Sequence, residues 1–176
     1  MKTLMTKVMT LAFAAALGLV STSSLFAGTQ LDPIDPRMDF ALTSTDGVTK
    51  TLSAYFTREY LLIDFSRYLC GGCQTMAKSV NADVEFQKLV EHGKCNYVIL
   101  TPKGGLSDWI NWIGATSFVA KHSYQPPETD YMEVAKEAFD YELNYVPVLL
   151  LIDRNRNILG ELDDQNASLV KENCVL

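Results

Sequence analysis

Short unbroken apolar runs alternate along this chain with segments whose apolar residues recur at helical spacing. Leu61-Leu62-Ile63-Asp64-Phe65 is too short for a helix and is bounded by polar residues, so Tyr60 to Phe65 reads as a buried strand. Tyr97 to Thr101 reads the same way and is closed by Pro102 and Gly104-Gly105. A third run, Val148 to Ile152, is followed by a polar turn at Asp153 to Asn157 and a strand from Ile158 to Leu162. Between the first two runs a helix is predicted from Gly72 or Cys73, carrying Met76 and Val80. Asn81 and Asp83 mark a break before Val84, Phe86, Leu89 and Val90 resume the spacing, and Gly93 ends it.

The remaining segments complete the outline. Ser107 or Asp108 can cap a helix holding Trp109, Trp112 and Ile113, an apolar stripe read as core rather than as a substrate groove. Asp130 with Glu133 three residues later has the form of a capping box, opening a helix from Tyr131 to Leu143. A last helix is expected from about Gln165. Near the N-terminus, Phe40 to Thr43 and Val48 to Leu52 flank Asp46-Gly47 as a hairpin, after a lead containing Pro33 and Pro36. Helices alternating with strands, closed by a hairpin and a helix, predict an α/β sandwich around a central mixed β-sheet.

The first 27 residues read as a targeting signal. Lys2 and Lys7 precede the uncharged apolar stretch Val8 to Val20, and Leu25-Phe26-Ala27 offers a cleavage site before Gly28. The apolar stretch is shorter than the ~20 residues that span a bilayer, so cleavage near Ala27 and a periplasmic or secreted product are expected, with no stable membrane insertion afterwards; an uncleaved anchor is the alternative. Residues 28–38 form an irregular lead and residues 39–176 one domain. Removing the signal takes 15 basic against 21 acidic residues to 13 against 21, a net charge of about −8. That charge disfavours nucleic acid and anionic membrane surfaces as partners. Export also makes four cysteines compatible with two lasting bridges.

The candidate chemistry is Cys70-Gly71-Gly72-Cys73, directly after the first strand. Two thiols at this spacing can close a disulfide on themselves and reopen it. A helix starting there places Cys70 where backbone N–H groups stabilise thiolate, the attacking form. Cys70, the more exposed thiol, is the predicted nucleophile, and Cys73, one turn inside, the resolving thiol. A permanent structural bridge and a zinc site are the alternatives. Zinc needs two more ligands, and Cys95, Cys174, His92 and His122 show no paired spacing. Asp64, a lone carboxylate on an apolar strand, should have its pKa raised toward neutrality by burial. The alternative is an Asp bonded to backbone at a strand end. Arg67 can favour Cys70 thiolate by charge, or be merely solvated. His122 is placed at the surface.

Ile63-Asp64-Phe65, the Cys70–Cys73 motif and Tyr145-Val146-Pro147 opening a strand together resemble the thioredoxin superfamily. The N-terminal hairpin and the helical insertion from Gly104 to about Pro127 resemble exported relatives in the reductase branch that serves cytochrome c maturation. The resemblance covers residue 39 to the C-terminus and implies a thioredoxin-like fold. It also implies that Asp64 is a buried acid moving a proton for the resolving thiol, although the strand Cys95 to Thr101 lacks the Lys that thioredoxin places beside that acid. It implies a cis bond before Pro147, which leaves the Val146 backbone free to pair with an extended peptide; a trans Pro starting a strand is the alternative. Tyr68 and Leu69 replace the thioredoxin Trp and join Val146 and Pro147 as expected substrate-binding residues. Gly71-Gly72 lacks the usual Pro. In such a fold Cys95 and Cys174 fall at the end remote from the motif, which implies a structural disulfide, with buried free thiols as the alternative.

These readings predict a thiol–disulfide oxidoreductase with no cofactor beyond its own Cys70–Cys73 couple. Its partners would be protein thiols and disulfides and a membrane or soluble redox partner. Reduction, oxidation and isomerisation are open on the residues; the resemblance favours reduction. Three alternatives compete. A copper-handling protein would usually have three residues between the thiols and a later His, for which His122 is a loose candidate. A peroxidase would need Pro and Thr or Ser where Ile63 and Arg67 stand. A non-catalytic interaction module would have no use for Cys70, Cys73, Asp64 and Pro147 together.

Overall fold

The computed structural model describes residues 33–126, 130–162 and 168–175. The signal reading of residues 1–27, and residues 28–32 of the lead, lie outside the described residues. A five-stranded sheet is built from β3 (Tyr60–Phe65), β4 (Cys95–Leu100), β5 (Ser123–Tyr124), β6 (Val148–Asp153) and β7 (Ile158–Leu162), in the order β5-β4-β3-β6-β7. β3 runs parallel to β4 and antiparallel to β6. β5 adds parallel to β4, and β7 antiparallel to β6, so the sheet is mixed. β1 (Ala41–Thr43) and β2 (Thr49–Thr51) form a separate hairpin.

Asp64 apart, β3 is apolar along its length because both of its faces are covered. Leu61, Ile63 and Phe65 join one core with Leu42, Val98, Leu150 and Ile152. That face is closed by α1 (Leu52–Tyr55) and α6 (Tyr131–Phe139). Leu62 joins the opposite core with Cys73, Tyr97, Ile99 and Trp109. There the cover is α2 (Gly71–Ala82), α3 (Val84–His92), α4 (Leu106–Ile113), α5 (Phe118–Lys121) and α7 (Ser168–Cys174). The period-2 alternation of a strand therefore aims Asp64, two residues after Leu62, into the face that α2 covers.

Several elements depart from the sequence expectations. Residues 36–38 of the lead form a 3-10 turn whose Met38 is fully buried in the first core. α4 opens at Leu106 with Gly105 as cap and no side-chain capping bond, so neither Ser107 nor Asp108 caps it; Asp108 lies in its first turn. α5 and β5 follow it in a stretch where no element was predicted. Asp130 does cap α6, accepting from the N–H of Met132 at 2.9 Å, but the helix ends at Phe139 rather than Leu143. Asp140, at φ 57°, turns the chain, and Leu143 stays buried from the loop beyond.

The end of the sheet remote from Cys70 is tied together by several contacts. Cys95 and Cys174 are disulfide-bonded with Cα atoms 5.0 Å apart, and both are fully buried. The N–H of Lys94 donates to the Cys174 carbonyl at 2.8 Å. A side chain on Gly93 would collide with that same carbonyl, so this close approach requires a glycine. The Arg58 guanidinium gathers the end of α3 by donating to the carbonyls of Val90, Glu91, Gly93 and Cys95. These include helix C-terminal acceptors that have no partner within the helix.

Candidate functional site

The site is assembled where β3 hands over to α2. After Phe65 the chain passes through Arg67, Tyr68 and Leu69, all exposed, before Cys70 caps the helix. Leu69 adopts φ 59° and is 76% exposed, a left-handed backbone that a branched residue seldom takes. Cys70 Sγ accepts the N–H of Cys73 at 3.1 Å, so α2 begins at Gly71, one or two residues earlier than predicted. The two cysteines are joined as a disulfide with Cα atoms 5.2 Å apart. Cys70 is partly exposed, whereas Cys73 is fully buried. This asymmetry leaves only the first sulfur open to an incoming disulfide.

Pro147 closes the site from the other side. The Val146–Pro147 bond is cis, and the Val146 carbonyl lies 3.6 Å from Cys70 Sγ. A bonded sulfur has no hydrogen to give, but the Cys70 thiol of the reduced protein can donate to this carbonyl. A Cβ on Gly72 would stand 3.0 Å from Pro147 Cδ, so Gly72 is what lets the proline ring lie against the motif. Glu161 on β7 accepts from the hydroxyls of Tyr141, at 2.7 Å, and Tyr145, which fixes the segment entering Val146. Tyr145 is 60% exposed, and Tyr68 meets the half-buried Trp112 edge-on at 5.4 Å. Of the predicted core stripe, Trp109 is fully buried while Trp112 reaches the rim. Tyr68 and Leu69, next to Cys70 in sequence, and Tyr145, next to Val146, thus carry exposed aromatic and aliphatic side chains on the two segments that meet at the accessible sulfur.

Beneath the motif lies Asp64, fully buried among apolar neighbours. Burial pushes its carboxyl up to about 6, against the pull of two hydroxyl donors. Ser66 Oγ donates to Oδ1 at 2.6 Å and Tyr97 Oη donates to Oδ2 at 2.9 Å. No side-chain bond between Asp64 and backbone is observed, so the strand-end alternative does not describe it. Tyr97 stands on the neighbouring strand β4, which carries no Lys. Burial, and then the nearby Asp64 carboxylate, drives the Tyr97 phenol well above its ordinary value. It is boxed by Phe86 at 5.3 Å, Phe118 at 6.2 Å and His122 at 5.7 Å between ring centroids.

His122 is therefore half-buried against Tyr97 and Phe118, not a surface residue, and desolvation lowers its pKa. Sequence reasoning missed Tyr97 and Ser66 as partners of Asp64. Their signal was faint: Tyr97 is the hydroxyl-bearing aromatic of the second apolar run, and only the register Leu62↔Tyr97 brings it diagonally to Asp64. Among the described residues no three His, Cys, Asp or Glu side chains cluster closely enough to hold a metal ion. Cys95 and Cys174, bonded to each other, are at the opposite end of the sheet.

No protein-family model matches the chain, and no curated protein matches it. Solved structures do. A thioredoxin from Wuchereria bancrofti superposes with a TM-score of 0.55 at 21% identity, covering 74% of this chain and 87% of that one. The thioredoxin domain of a thiol-disulfide oxidoreductase from Bacteroides vulgatus gives 0.57 at 15% identity, covering 81% and 97%. A thiol:disulfide interchange protein from a Bacteroides species gives 0.53 at 16% identity, covering 81% and 88%. At such identities the likeness is one of architecture, and the architecture is the thioredoxin-like fold.

Proposed function

We propose that this chain is a thiol–disulfide oxidoreductase that reduces protein disulfides through the Cys70–Cys73 couple. One observation carries the reading: a partly exposed Cys70 caps α2 beside the Val146 carbonyl, while its partner Cys73 is buried on the face into which Asp64 points. In the reduced protein, Cys70 thiolate attacks one sulfur of a substrate disulfide and the other leaves as thiolate. Asp64 takes the proton of the Cys73 thiol, and the Cys73 thiolate attacks Cys70 Sγ in the mixed disulfide. The second substrate thiolate departs, leaving the substrate reduced by two electrons and the protein oxidised to the Cys70–Cys73 disulfide. The N-terminus of α2 favours the Cys70 thiolate that begins this sequence.

Tyr68, Leu69, Val146 and Pro147 are the proposed contacts for the substrate chain, with the Val146 backbone pairing with an extended segment. The N-terminal sequence supports an exported, periplasmic or secreted setting, where a membrane or soluble redox partner must return the electrons. The resemblance to the reductase branch of cytochrome c maturation supports reduction as the direction. The test is the reduction potential of the couple, titrated against glutathione or dithiothreitol with Cys95 and Cys174 followed separately. A value near about −270 mV is expected of a reductant; one of about −120 to −180 mV would make the protein an oxidase or isomerase. A Cys70–Cys73 bond that resists reduction would overturn the proposal.

A further inference from the structure

We propose that Tyr97 is a positioning residue for the resolving step, holding the Asp64 carboxylate through Oδ2 so that its proton-accepting edge is turned to the Cys73 side. This rests on the oxidoreductase reading above and names a role that the thiol motif does not disclose. The geometry restricts what Asp64 can do. Each carboxylate oxygen already receives one hydroxyl proton, from Ser66 at Oδ1 and from Tyr97 at Oδ2. A carboxylate oxygen can accept a second bond, so the remaining lone pairs are where a further proton can be received.

Both hydroxyls are set as donors to Asp64. If a protonated Asp64 donated to Tyr97 Oη, the phenol would give up the one bond its hydrogen makes, to Asp64 Oδ2, and would have to turn that hydrogen to another acceptor among the Phe86, Phe118 and His122 rings. An unmatched buried donor is unfavourable. The network therefore keeps Asp64 as an acceptor toward both hydroxyls and leaves the proton from Cys73 on the edge they do not occupy. Cys73 and Leu62 share the core on the face into which Asp64 points. The apolar cover on this face comes from α2, α3, α4, α5 and α7, and the buried polar residues among those described are Asp64, Ser66, Thr101 and Ser123, so no second charged side chain is buried with Asp64. His122, packed on the Tyr97 ring, is a further titratable side chain on this side, and its pKa is lowered by burial. Tyr97 is itself held far from ionisation, so it stabilises the carboxylate as a donor and cannot exchange its own proton at working pH.

The experiment follows the fully reduced Cys70–Cys73 couple, with Cys95–Cys174 intact, reacting with an aromatic disulfide such as dithiobis-nitrobenzoate. Release of the first coloured thiolate reports attack by Cys70; release of the second reports resolution by Cys73. In Tyr97→Phe, which keeps the ring and its packing, the pH midpoint of the second phase is expected to rise by about one unit, a tenfold change at a fixed pH below it. The first phase should keep its wild-type pH profile. Ser66→Ala should move the second phase in the same direction, and Tyr124→Phe, a tyrosine bonded instead to the Lys121 carbonyl, should move neither. A second phase with unchanged midpoint in both Tyr97→Phe and Ser66→Ala would overturn the proposal, as would an equal shift of both phases. A wild-type protein that releases no second thiolate would fail the oxidoreductase reading itself, a result separable from either of these.

Discussion

Replacing Asp64 by Asn should stabilise the oxidised protein, and the gain should depend on pH in a defined direction. The carboxyl is fully buried and its folded pKa is about 6, against an ordinary value of 3.8. Between those values the unfolded chain has lost its proton while the folded protein still holds it. The unfolded state then binds fewer protons, so stability falls as pH rises. The loss begins above about pH 4 and is complete somewhat above pH 6. Two pKa units and a little more, at 1.36 kcal/mol each, correspond to about 3 kcal/mol by neutral pH. Asn has nearly the same shape and carries no charge into the site, and its carbonyl can still accept from one hydroxyl.

The assay is urea unfolding of the oxidised protein, both disulfides intact, at steps from about pH 3.5 to pH 8. Near the acidic end wild type and Asp64→Asn should differ little, because Asp64 is protonated in both states. Toward pH 7.5 the variant should become more stable by about 3 kcal/mol, or roughly 10 °C in Tm for a domain of this size. In the reduced protein the same variant should slow release of substrate from the mixed disulfide. A stability difference that stays flat across the pH range would refute the reasoning, since it would mean that the buried carboxyl does not titrate differently in the folded state. A variant less stable than wild type at pH 7.5 would mean that the hydroxyl bonds outweigh desolvation.

Two further perturbations test separate parts of the structure. Cys73→Ser should accumulate substrate proteins covalently bound through Cys70, detected as bands that vanish on reduction; an empty trap would count against Cys70 as the attacking sulfur. Replacing Cys95 and Cys174 together by Ser should lower stability by on the order of 4 kcal/mol, as expected for a crosslink spanning 79 residues, measured by urea unfolding. The Cys70–Cys73 potential should be unchanged in that double variant, because the bridge lies at the far end of the sheet.

What the chain reveals before folding follows from the range of each interaction. β3 and β7 occupy the residues predicted for them, because an apolar run between polar boundaries is a local signal. The break between α2 and α3 was equally local: Asp83 receives the N–H of Phe86 and so caps the second helix at the residue that ends the first. α5 spans four residues and β5 two, too short for any period to declare itself. The apolar spacing of Phe139 and Leu143 continues the α6 stripe in sequence, but the left-handed turn at Asp140 carries Leu143 into the same core from a loop. Periodicity reports which residues are buried more faithfully than which conformation buries them.

The Asp64 site shows the same limit in its chemistry. An aspartate on an apolar strand announces a costly carboxylate in any fold that covers both faces of the sheet. Ser66 is two residues away, but Tyr97 depends on pairing 33 residues away, and a missing lysine discloses nothing about what replaces it. A lysine would bring a charge and hold the acid down by Coulomb attraction. Tyr97 and Ser66 bring dipoles, which offset only part of the desolvation, so the carboxyl remains near 6. An acid left near neutrality can take a proton from a buried thiol and return it within the same cycle, whereas one lowered by a cation would be a weaker base toward Cys73. Two hydroxyls in place of an ammonium thus set the proton affinity of the site without changing the thiols, and that difference is carried by Tyr97 of β4 and by Ser66 just after β3 rather than by the Cys-Gly-Gly-Cys motif.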